Sequence, residues 1–225
     1  MQSYYPKDNN AILEINLKAL TKNYKFIRKN LKKTTECAAT VKADAYGIGA
    51  KEVVKSLIAN GCKTFFVAHL SESVELRKVS KKIRIFCYHG IDKQNYREFI
   101  KFNVIPVANS IDQLNLINKL NKQKKFNRGI AVHFDTGMSR LGLDENETDD
   151  FISNKIKYAY LKIDLVMSHL ACGDQINHTM NTSQLNKFIT IRKHFPNSKA
   201  SLANSAGVFM HKKYHFDLVR PGIAL

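Results

Sequence analysis

The sequence predicts an α/β protein, a (β/α)8 barrel of the TIM type that stops just after its eighth strand. Two observations lead to this fold class. Short β-rich runs of Val, Ile, Phe, Leu, Ala and Thr alternate with longer stretches in which apolar residues recur at helical spacing. Eight such runs can be counted within 225 residues, with no linker and no change in composition that would mark a second domain. An open doubly wound sheet is the main alternative, and the count of eight favours the barrel.

The eight predicted strands show little alternation of polar and apolar residues, which is typical of parallel strands buried on both faces. They cover residues 35–42, 63–68, 83–87, 104–108, 129–135, 161–168, 199–203 and 217–220. Amphipathic spacing predicts helices over 17–31, 51–59, 92–102, 110–120 and 181–195. The sequence ends at Leu225, before a helix could follow the eighth strand, and we expect the N-terminal helix to fill that place.

The chain is strongly basic, with 36 Lys and Arg against 19 Asp and Glu and a net charge of +17. Such a charge is compatible with a nucleic-acid-binding protein. However, 28 of the basic residues are Lys, scattered along the whole chain, whereas nucleic-acid readers concentrate Arg and aromatic side chains on one face. We therefore expect no nucleic-acid partner.

Two features predict a cytoplasmic protein without a membrane partner. No apolar run approaches the roughly 18 residues that a membrane helix needs. The segment from Met1 to Asn10 is polar and does not resemble a signal peptide.

Cysteine and histidine spacing predicts no metal site. The four cysteines, at 37, 62, 87 and 172, form no CxxC pair and are expected to be free, mostly buried thiols. His211 and His215 are four residues apart but lack the glutamate of a zinc-protease motif, so we expect a pair on the surface.

Active sites of such barrels lie at the carboxyl ends of the strands, so the residues after each strand are the candidates. Lys42 follows the first strand, and a lysine amine partly withdrawn from water can form a Schiff base with an aldehyde. On this segment alone, a lysine that reaches solvent is the simpler interpretation. Arg140 lies between Gly137 and Gly142 after the fifth strand and can direct planar donors at a carboxylate or phenolate. His169, after the sixth strand, could stack on a flat ring or bind a proton, although a satisfied core histidine is more common.

The loops after the last two strands predict a phosphate site, as in many barrels of this type. Asn204 and Ser205 open a short helix and offer a hydroxyl and backbone N–H groups. Arg220 and Gly222 follow the eighth strand. Together with the lysine, arginine and histidine of the other loops, they suit pyridoxal 5'-phosphate: an amine for its aldehyde, a cradle for its phosphate and a surface for its ring.

Five segments, in this order and spacing, resemble the barrel domain of bacterial alanine racemase, a pyridoxal phosphate enzyme of fold type III. They are VKADAYGIG (41–49), DTGMSRLG (135–142), SHLACGD (168–174), ANSAG (203–207) and VRPGIAL (219–225). The resemblance implies an isomerase that interconverts L-alanine and D-alanine through a cofactor aldimine on Lys42. It also implies a supply of D-alanine for peptidoglycan precursors.

The resemblance also implies a role for each matching residue. Lys42 would hold the cofactor and act as acid or base on the D-face of the substrate. His169 would lie against the pyridine ring, Arg220 would donate to the pyridine nitrogen, and Arg140 would approach the cofactor O3′ and the substrate. The residues that would surround the phosphate are Tyr46, Asn204, Ser205, Gly222 and Ile223.

The chain departs from the family pattern in two respects. Where the family often has a lysine that is carbamylated and braces the arginine of the DTGM motif, this sequence has His133, so we expect Arg140 to be held less firmly. The resemblance also ends at Leu225, whereas family members continue into a C-terminal β domain that supplies the tyrosine base for the L-face and contributes across a dimer interface. The implied partners are alanine and either a second copy of the chain or a separately encoded β-domain chain. In the family the segment 11–16 is a strand that pairs with that domain.

Two other functions stay open beside an alanine racemase that is impaired or dependent on a partner. One is a non-catalytic single-barrel pyridoxal phosphate protein of cofactor homeostasis, or an inactive remnant. Homeostasis proteins do not carry DTGMSRLG and VRPGIAL in this form, which favours the racemase. The other is a nucleic-acid binder, which depends on charge alone.

Overall fold

The computed structural model describes residues 11–225, so the segment from Met1 to Asn10, predicted not to be a signal peptide, lies outside the described residues. The α-helices in the described part are α1 (Leu17–Asn30), α2 (Ala50–Ala59), α3 (Leu70–Val79), α4 (Tyr96–Lys101), α5 (Ile111–Lys122), α6 (Glu145–Ser153), α7 (Thr179–Lys193) and α8 (Ser205–Val208). A five-residue turn, Lys42–Tyr46, belongs to the site described below.

The strands all pair in parallel. They are β1 (Glu36–Cys37), β2 (Ala39–Thr40), β3 (Thr64–Val67), β4 (Arg84–Cys87), β5 (Ile105–Ala108), β6 (Gly129–His133), β7 (Lys162–Met167), β8 (Lys199–Ser201) and β9 (Leu218–Val219). Strands β2 to β8 form a seven-stranded sheet in sequence order, and β1 pairs separately with β9. Sequence order in a parallel sheet with intervening helices is the arrangement of a (β/α) barrel.

The first predicted strand closes the barrel because it belongs to both sheets. It is interrupted at Ala38, so that β1 pairs with β9 while β2 pairs with β3. On the other side, the N–H groups of Asp217 and Arg220 donate to the carbonyls of Ala200 and Ala203, each at 3.0 Å. The barrel fold is therefore confirmed, and each of the eight predicted strands is present.

Two layers of apolar side chains surround the sheet. The inner layer fills the barrel and includes Phe66, Phe86, Val107 and Leu165, with the rings of Phe66 and Phe86 stacked at 4.7 Å between centroids. The outer layer lies between the strands and the helices. Because both faces of each strand are buried, most residues of a strand are apolar, which explains why the predicted strands show little alternation of polar and apolar residues.

The five predicted helices are present as α1, α2, α4, α5 and α7. Helix α4 is shorter than predicted because the Asp92 carboxylate accepts the N–H groups of Gln94 and Asn95, at 2.7 and 2.8 Å, and forms a turn before the helix. Helices α3 and α6 are not among the predicted elements, whereas α8 is the short helix predicted to open at Asn204 and Ser205. The sequence does contain a start signal for α6, because Asp144 and Glu147 have the spacing of a capping box and form one in the structure.

Helix α1 packs against the barrel through buried Leu20, Tyr24 and Ile27, and the Asn23 side chain reaches the carbonyl of Leu225 at 3.4 Å. This contact supports the prediction that α1 fills the place after the eighth strand. The preceding residues 11–16 are exposed and lie outside any helix or strand. Their pairing with a further domain stays a prediction.

The predicted surface pair of histidines is wrong for one member. His211 is exposed, but His215 is buried, with Nε2 2.9 Å from the carbonyl of Val208, because a 3-10 turn at Lys212–Tyr214 directs it inward. The cysteines are free, as predicted, and Cys37, Cys62 and Cys87 are buried. Within residues 11–225 no cluster of three metal-binding side chains occurs, and no helix has the length and apolar character needed to cross a bilayer.

Candidate active site

A cavity of about 540 Å³ lies at the carboxyl ends of the strands, where barrel enzymes carry their active sites. This volume is in the range of pockets that hold small organic ligands. All nine residues that the sequence predicts for the site line this cavity, and they come from the loops after five strand segments. They are Lys42, Tyr46, Arg140, His169, Asn204, Ser205, Arg220, Gly222 and Ile223. The fold therefore brings the predicted residues together, while their roles stay predictions.

Lys42 opens a turn whose backbone is left-handed. The four residues after it, 43–46, have φ angles of 51°, 52°, 54° and 58°. None of the four is glycine, and a left-handed conformation costs an L-residue about 1–2 kcal/mol. Within the turn, the N–H of Ala45 donates to the carbonyl of Val41 at 3.0 Å and that of Gly47 to Ala43 at 2.9 Å. This turn presents the side chains of Lys42 and Tyr46 to the cavity.

Arg220 is buried, with 3 % of its surface exposed, and neutral groups hold its guanidinium. Nε donates to Ser201 Oγ at 2.9 Å, Nη2 donates to the carbonyls of Ser168 and Leu202, and Nη1 lies 3.4 Å from Tyr88 Oη. Arginine has five N–H donors and keeps its charge. Among residues 11–225 no carboxylate forms an ion pair with it, and one N–H at Nη1 is left for an acceptor in the cavity.

The loops after β8 and β9 are joined by the Ser205 hydroxyl. Ser205 Oγ accepts the N–H groups of Gly222 at 2.9 Å and Ala224 at 3.3 Å. Asn204 caps α8, since its Oδ1 accepts the N–H of Gly207 at 3.0 Å. The cavity thus has a corner of small residues in which side-chain hydrogen bonds join the two loops.

Gly222 is required to be small because Tyr46 lies against it. A Cβ at position 222 would overlap Tyr46 Oη and would come within 2.9 Å of the ring atom Cζ. Burial raises the pKa of Tyr46 to about 12, so its hydroxyl keeps its proton and can donate to an anion. Ile223, next in the chain, is exposed at the mouth of the cavity.

His169 is held as a neutral imidazole. Its Nε2 lies 3.3 Å from Asn204 Nδ2. Because Asn204 Oδ1 already accepts from Gly207, the Asn204 amide donates here and Nε2 accepts. Burial lowers the pKa of His169 well below its usual value, and the nearby charges of Arg220 and Arg140 lower it further.

The loop that carries Arg140 is organised by Asp135. Its Oδ1 accepts the N–H groups of Gly137, Met138 and Ser139 at 2.9, 2.8 and 3.1 Å. Gly137 and Gly142 have φ angles of 135° and 107°, in the region that favours glycine over other residues. The Arg140 side chain, beyond this turn, is exposed and borders the cavity.

His133 lies in the cavity wall and has one fixed tautomer. The Asn109 amide donates to the carbonyls of Tyr88 and Val107, at 2.6 and 2.9 Å, so Asn109 Oδ1 faces His133 Nδ1 at 3.0 Å. Nδ1 therefore carries the hydrogen. Burial, aided by the charge of Arg220, lowers the pKa of His133 to about 3. Its Nε2 is a buried acceptor without a partner among residues 11–225.

Sequence reasoning missed several lining residues, of which Tyr88 and His89 carry the most chemistry. Tyr88 Oη lies 3.2 Å from Thr40 Oγ1, and its ring stacks on Phe66 at 5.3 Å between centroids. The His89 ring meets His69 edge-on at 4.1 Å. Both missed residues directly follow β4, so the rule that selects strand ends would have found them.

The cavity is positively charged. Lys42, Arg140 and Arg220 line it, whereas Asp174 is the one carboxylate among its described lining residues. The difference, 3 − 1, leaves two positive charges. Together with the hydroxyls of Ser205 and Tyr46 and the neutral histidines, this arrangement suits an anionic ligand with a planar ring.

The chain matches one family model, described as the N-terminal domain of alanine racemase, over residues 15–225. Among curated proteins it is 41 % identical over 214 residues to an alanine racemase of Rickettsia canadensis, covering 95 % of this chain and 60 % of that protein. It is also 41 % identical over 188 residues to one of Rickettsia bellii, covering 83 % of this chain and 46 % of that protein. The chain thus spans between about half and 60 % of these relatives.

Solved structures of similar fold agree with these matches. An alanine racemase from Bartonella henselae with covalently bound pyridoxal phosphate superimposes with a TM-score of 0.88 at 35 % identity, covering 93 % of this chain and 61 % of that one. A biosynthetic alanine racemase from Pseudomonas aeruginosa gives a TM-score of 0.80 at 28 % identity, covering 92 % and 57 %.

Proposed function

The chain belongs to the alanine racemase family, and from that premise we propose that it is the cofactor-binding barrel of a pyridoxal phosphate-dependent alanine racemase. The observation that carries the proposal is the convergence of all nine predicted residues on a single cationic cavity. The substrate would be alanine, and a cytoplasmic role in making D-alanine for peptidoglycan precursors belongs to the same proposal.

The cavity has the features that pyridoxal phosphate requires. A phosphate fits the corner formed by Ser205, Gly222 and Tyr46, where small side chains leave room and the hydroxyls of Ser205 and Tyr46 can donate to it. The one uncommitted N–H of Arg220 suits the lone pair of a pyridine nitrogen. An amine for the aldehyde is present at Lys42. When bound, the cofactor supplies an electron sink for the carbanion formed at the substrate Cα.

Lys42 is proposed to hold the cofactor and to move the α-proton on the D-face of alanine. Its position after β2, at the start of the left-handed turn that borders the cavity, suits a group that must stay close to one reacting atom. A lysine amine can accept a proton and return it, which is general acid–base catalysis.

Arg220 and His169 are proposed to set the electronic character of the site. Arg220 is buried and can only donate, so a ring nitrogen facing it would stay unprotonated. Arg220 would thereby limit how strongly a bound cofactor withdraws electrons, which would disfavour side reactions such as transamination. His169 is neutral and held by Asn204, so it offers a flat face to the ring without adding charge.

Inversion at Cα needs a second base on the opposite face. None of the residues that line the cavity is assigned this role, and the barrel covers at most about 60 % of its first relatives. We propose that the L-face base is not one of the residues that line this cavity and that it comes with a β domain or from a second copy of the chain. The segment 11–16, exposed and apolar at Ile12 and Leu13, is the proposed docking strand.

The proposal predicts unequal exchange of the two alanine enantiomers. With pyridoxal phosphate in deuterium oxide, the purified chain should exchange the α-proton of D-alanine faster than that of L-alanine, by about 10²-fold or more. The reason is that Lys42 serves the D-face, whereas none of the residues lining the cavity is assigned to the L-face. Exchange is followed by proton NMR, and racemisation by chiral chromatography.

The matched control is Lys42→Ala, which should abolish exchange of both enantiomers while leaving the fold intact. Equal exchange of the two enantiomers would contradict the assignment of Lys42 to one face. Tight cofactor binding without exchange of either enantiomer would instead favour a non-catalytic role in cofactor homeostasis.

A further inference from the structure

The left-handed turn after Lys42 needs an external support. Residues 43–46 all lie in the left-handed region, and consecutive non-glycine residues rarely do so. Such a backbone persists only where its surroundings determine it more strongly than its own preference. The hydrogen bonds inside the turn do not supply this support, because a right-handed turn would form the same number.

The Glu72 carboxylate contacts the turn at its first residue. Glu72 lies in the first turn of α3, and its Oε1 accepts the N–H of Ala43, which is 29 positions earlier in the chain. Its Oε2 accepts the N–H groups of Ala68 and His69, at 2.7 and 2.9 Å. One carboxylate therefore satisfies three backbone donors. Hydrogen bonds to a charged acceptor are stronger than those between neutral groups.

These three donors belong to two loops at the rim of the cavity. Ala43 directly follows Lys42, and Ala68 directly follows β3 and lines the cavity. The positive end of the α3 dipole favours a carboxylate at this position. Glu72 is thus part of a rigid connection between a neighbouring strand end and the backbone that carries Lys42.

We propose that Glu72 is a positioning residue, which holds the left-handed turn so that Lys42 and Tyr46 face the cavity. The effect on cofactor attachment rests on the proposed function, whereas the effect on the turn itself does not. Glu72 touches neither the substrate nor the cofactor in this proposal. It acts through the backbone N–H of Ala43.

The test compares Glu72→Gln with Glu75→Gln. Glutamine keeps the size of Glu72 but turns an amide donor toward backbone donors and removes the charge. Glu75 lies on the same helix, is exposed and pairs only with Lys78 at 2.7 Å among residues 11–225, so it is a matched control. We expect covalent attachment of pyridoxal phosphate to Lys42, trapped by borohydride and located by mass spectrometry, to slow about tenfold or more in Glu72→Gln. It should change less than about twofold in Glu75→Gln.

Rescue by glycine separates support of the turn from simple capping of α3. Glycine adopts the left-handed region without the penalty of an L-side chain. Adding Ala43→Gly to Glu72→Gln should therefore restore attachment at Lys42 by about threefold or more. If Glu72 only caps α3, glycine at position 43 will restore nothing, and the proposal is wrong.

A second readout does not require the cofactor. Hydrogen exchange of the Ala43 amide, measured by NMR on ¹⁵N-alanine-labelled protein, should be slow in the unmodified chain and at least about tenfold faster in Glu72→Gln. If the unmodified chain never attaches the cofactor at Lys42, the proposed function fails while this exchange result still decides the role of Glu72. Should Glu72→Gln not fold, Glu72→Asp, which keeps the charge on a shorter side chain, takes its place in both measurements. Unchanged exchange and attachment in a folded variant would overturn the proposal.

Discussion

At the scale of single residues, the site is defined by buried groups with one protonation state. Arg220 is a buried cation held by neutral oxygens, and His133 and His169 are neutral imidazoles beside it. Burying a charge without an opposite charge is costly, so such an arrangement is expected where a ligand completes it. Burial is the main reason why both histidines stay neutral, and the cations add to it, since each positive charge disfavours a second one nearby.

His133 should stay neutral, with its hydrogen on Nδ1, across the physiological pH range. Its pKa in the folded chain is about 3, because of burial and the charge of Arg220, whereas an unfolded histidine titrates near 6.5. Its ¹⁵N and ring-proton NMR signals should therefore not move between about pH 5 and pH 8.

The Asn109→Ala variant is the control for His133, because it removes the acceptor that fixes the tautomer. We expect mixed tautomers in that variant. The sign for stability follows from linkage: above about pH 6.5 the imidazole is neutral in both the folded and the unfolded chain, so the lowered pKa has no effect on stability there. Below that pH the unfolded chain binds a proton that the folded chain does not, so the free energy of unfolding falls as the pH drops toward 3. Signals of His133 that titrate near pH 6.5 in the unmodified chain would contradict the assignment.

At the scale of elements, the site depends on close packing between two loops, the turn after β2 and the loop after β9. The loop after β9 contributes Gly222, and the turn after β2 contributes Tyr46, whose ring occupies the space that a side chain at 222 would need. The two loops belong to neighbouring positions in the barrel because β1 pairs with β9. A phosphate corner can therefore form from residues about 180 positions apart in the sequence.

Gly222→Ala should weaken cofactor binding more than it weakens the fold. The added methyl group overlaps Tyr46 Oη, and Tyr46 is partly exposed, so its ring can move outward and leave the phosphate corner. We expect the Kd for pyridoxal phosphate to rise about tenfold, with less than about 1 kcal/mol lost in the free energy of unfolding. The measurements are a fluorescence titration and a urea titration.

The paired variant Gly222→Ala with Tyr46→Ala tests whether the clash is the cause. If it is, the second substitution should add little to the loss of affinity, because the first has already displaced the ring. Fully additive losses would show that the two residues act independently.

At the scale of the whole molecule, an ion cluster at the amino ends of the strands ties the barrel together. Glu36 of β1 accepts hydrogen bonds from Arg84 of β4 at 2.6 Å and Thr64 of β3 at 2.5 Å, and pairs with Lys199 of β8 at 3.4 Å. These contacts join strands from both sides of the barrel closure, at the end opposite the site. In such barrels, functional residues usually lie at the carboxyl ends of the strands, and residues at the amino ends contribute to stability.

Glu36→Gln should destabilise the fold by about 1–2 kcal/mol at pH 7, with no direct effect on the cavity. Burial alone would raise the pKa of Glu36, but the hydrogen bonds from Arg84 and Thr64 and the charges of Arg84 and Lys199 outweigh it and hold the pKa below its usual value. The difference between variant and unmodified chain should therefore persist above about pH 4.3 and shrink as the pH falls below it.

Urea titrations at a series of pH values measure this difference. Glu75→Gln, which alters an exposed pair on α3, serves as the control and should change the free energy of unfolding by less than about 0.5 kcal/mol. A loss of stability for Glu36→Gln that does not depend on pH would contradict the role of the Glu36 charge.

Much of the site could be predicted from the sequence, because the position of a residue relative to a strand end can be read from its neighbours along the chain. In a parallel barrel, the residue that follows a strand lies at the rim, and a strand is visible as an apolar run. Lys42, His169 and Arg220 were found in this way, and Tyr88 and His89 were missed only because the rule was not applied after β4. Helix α4 and the buried His215 were less predictable, since side-chain hydrogen bonds and a 3-10 turn decide them.

The amino-acid sequence by itself determined the barrel, the strand ends and nine of the residues that line the cavity. Hydrophobic periodicity and strand order depend on neighbouring residues, so they are readable along the chain. Only the tertiary structure decided the left-handed turn after Lys42, the tautomer of His133 and the contact of Tyr46 with Gly222. Each of these depends on partners far apart in sequence, such as Glu72 for Ala43 and Asn109 for His133, and hydrogen-bond geometry between distant segments exists only once the chain has folded.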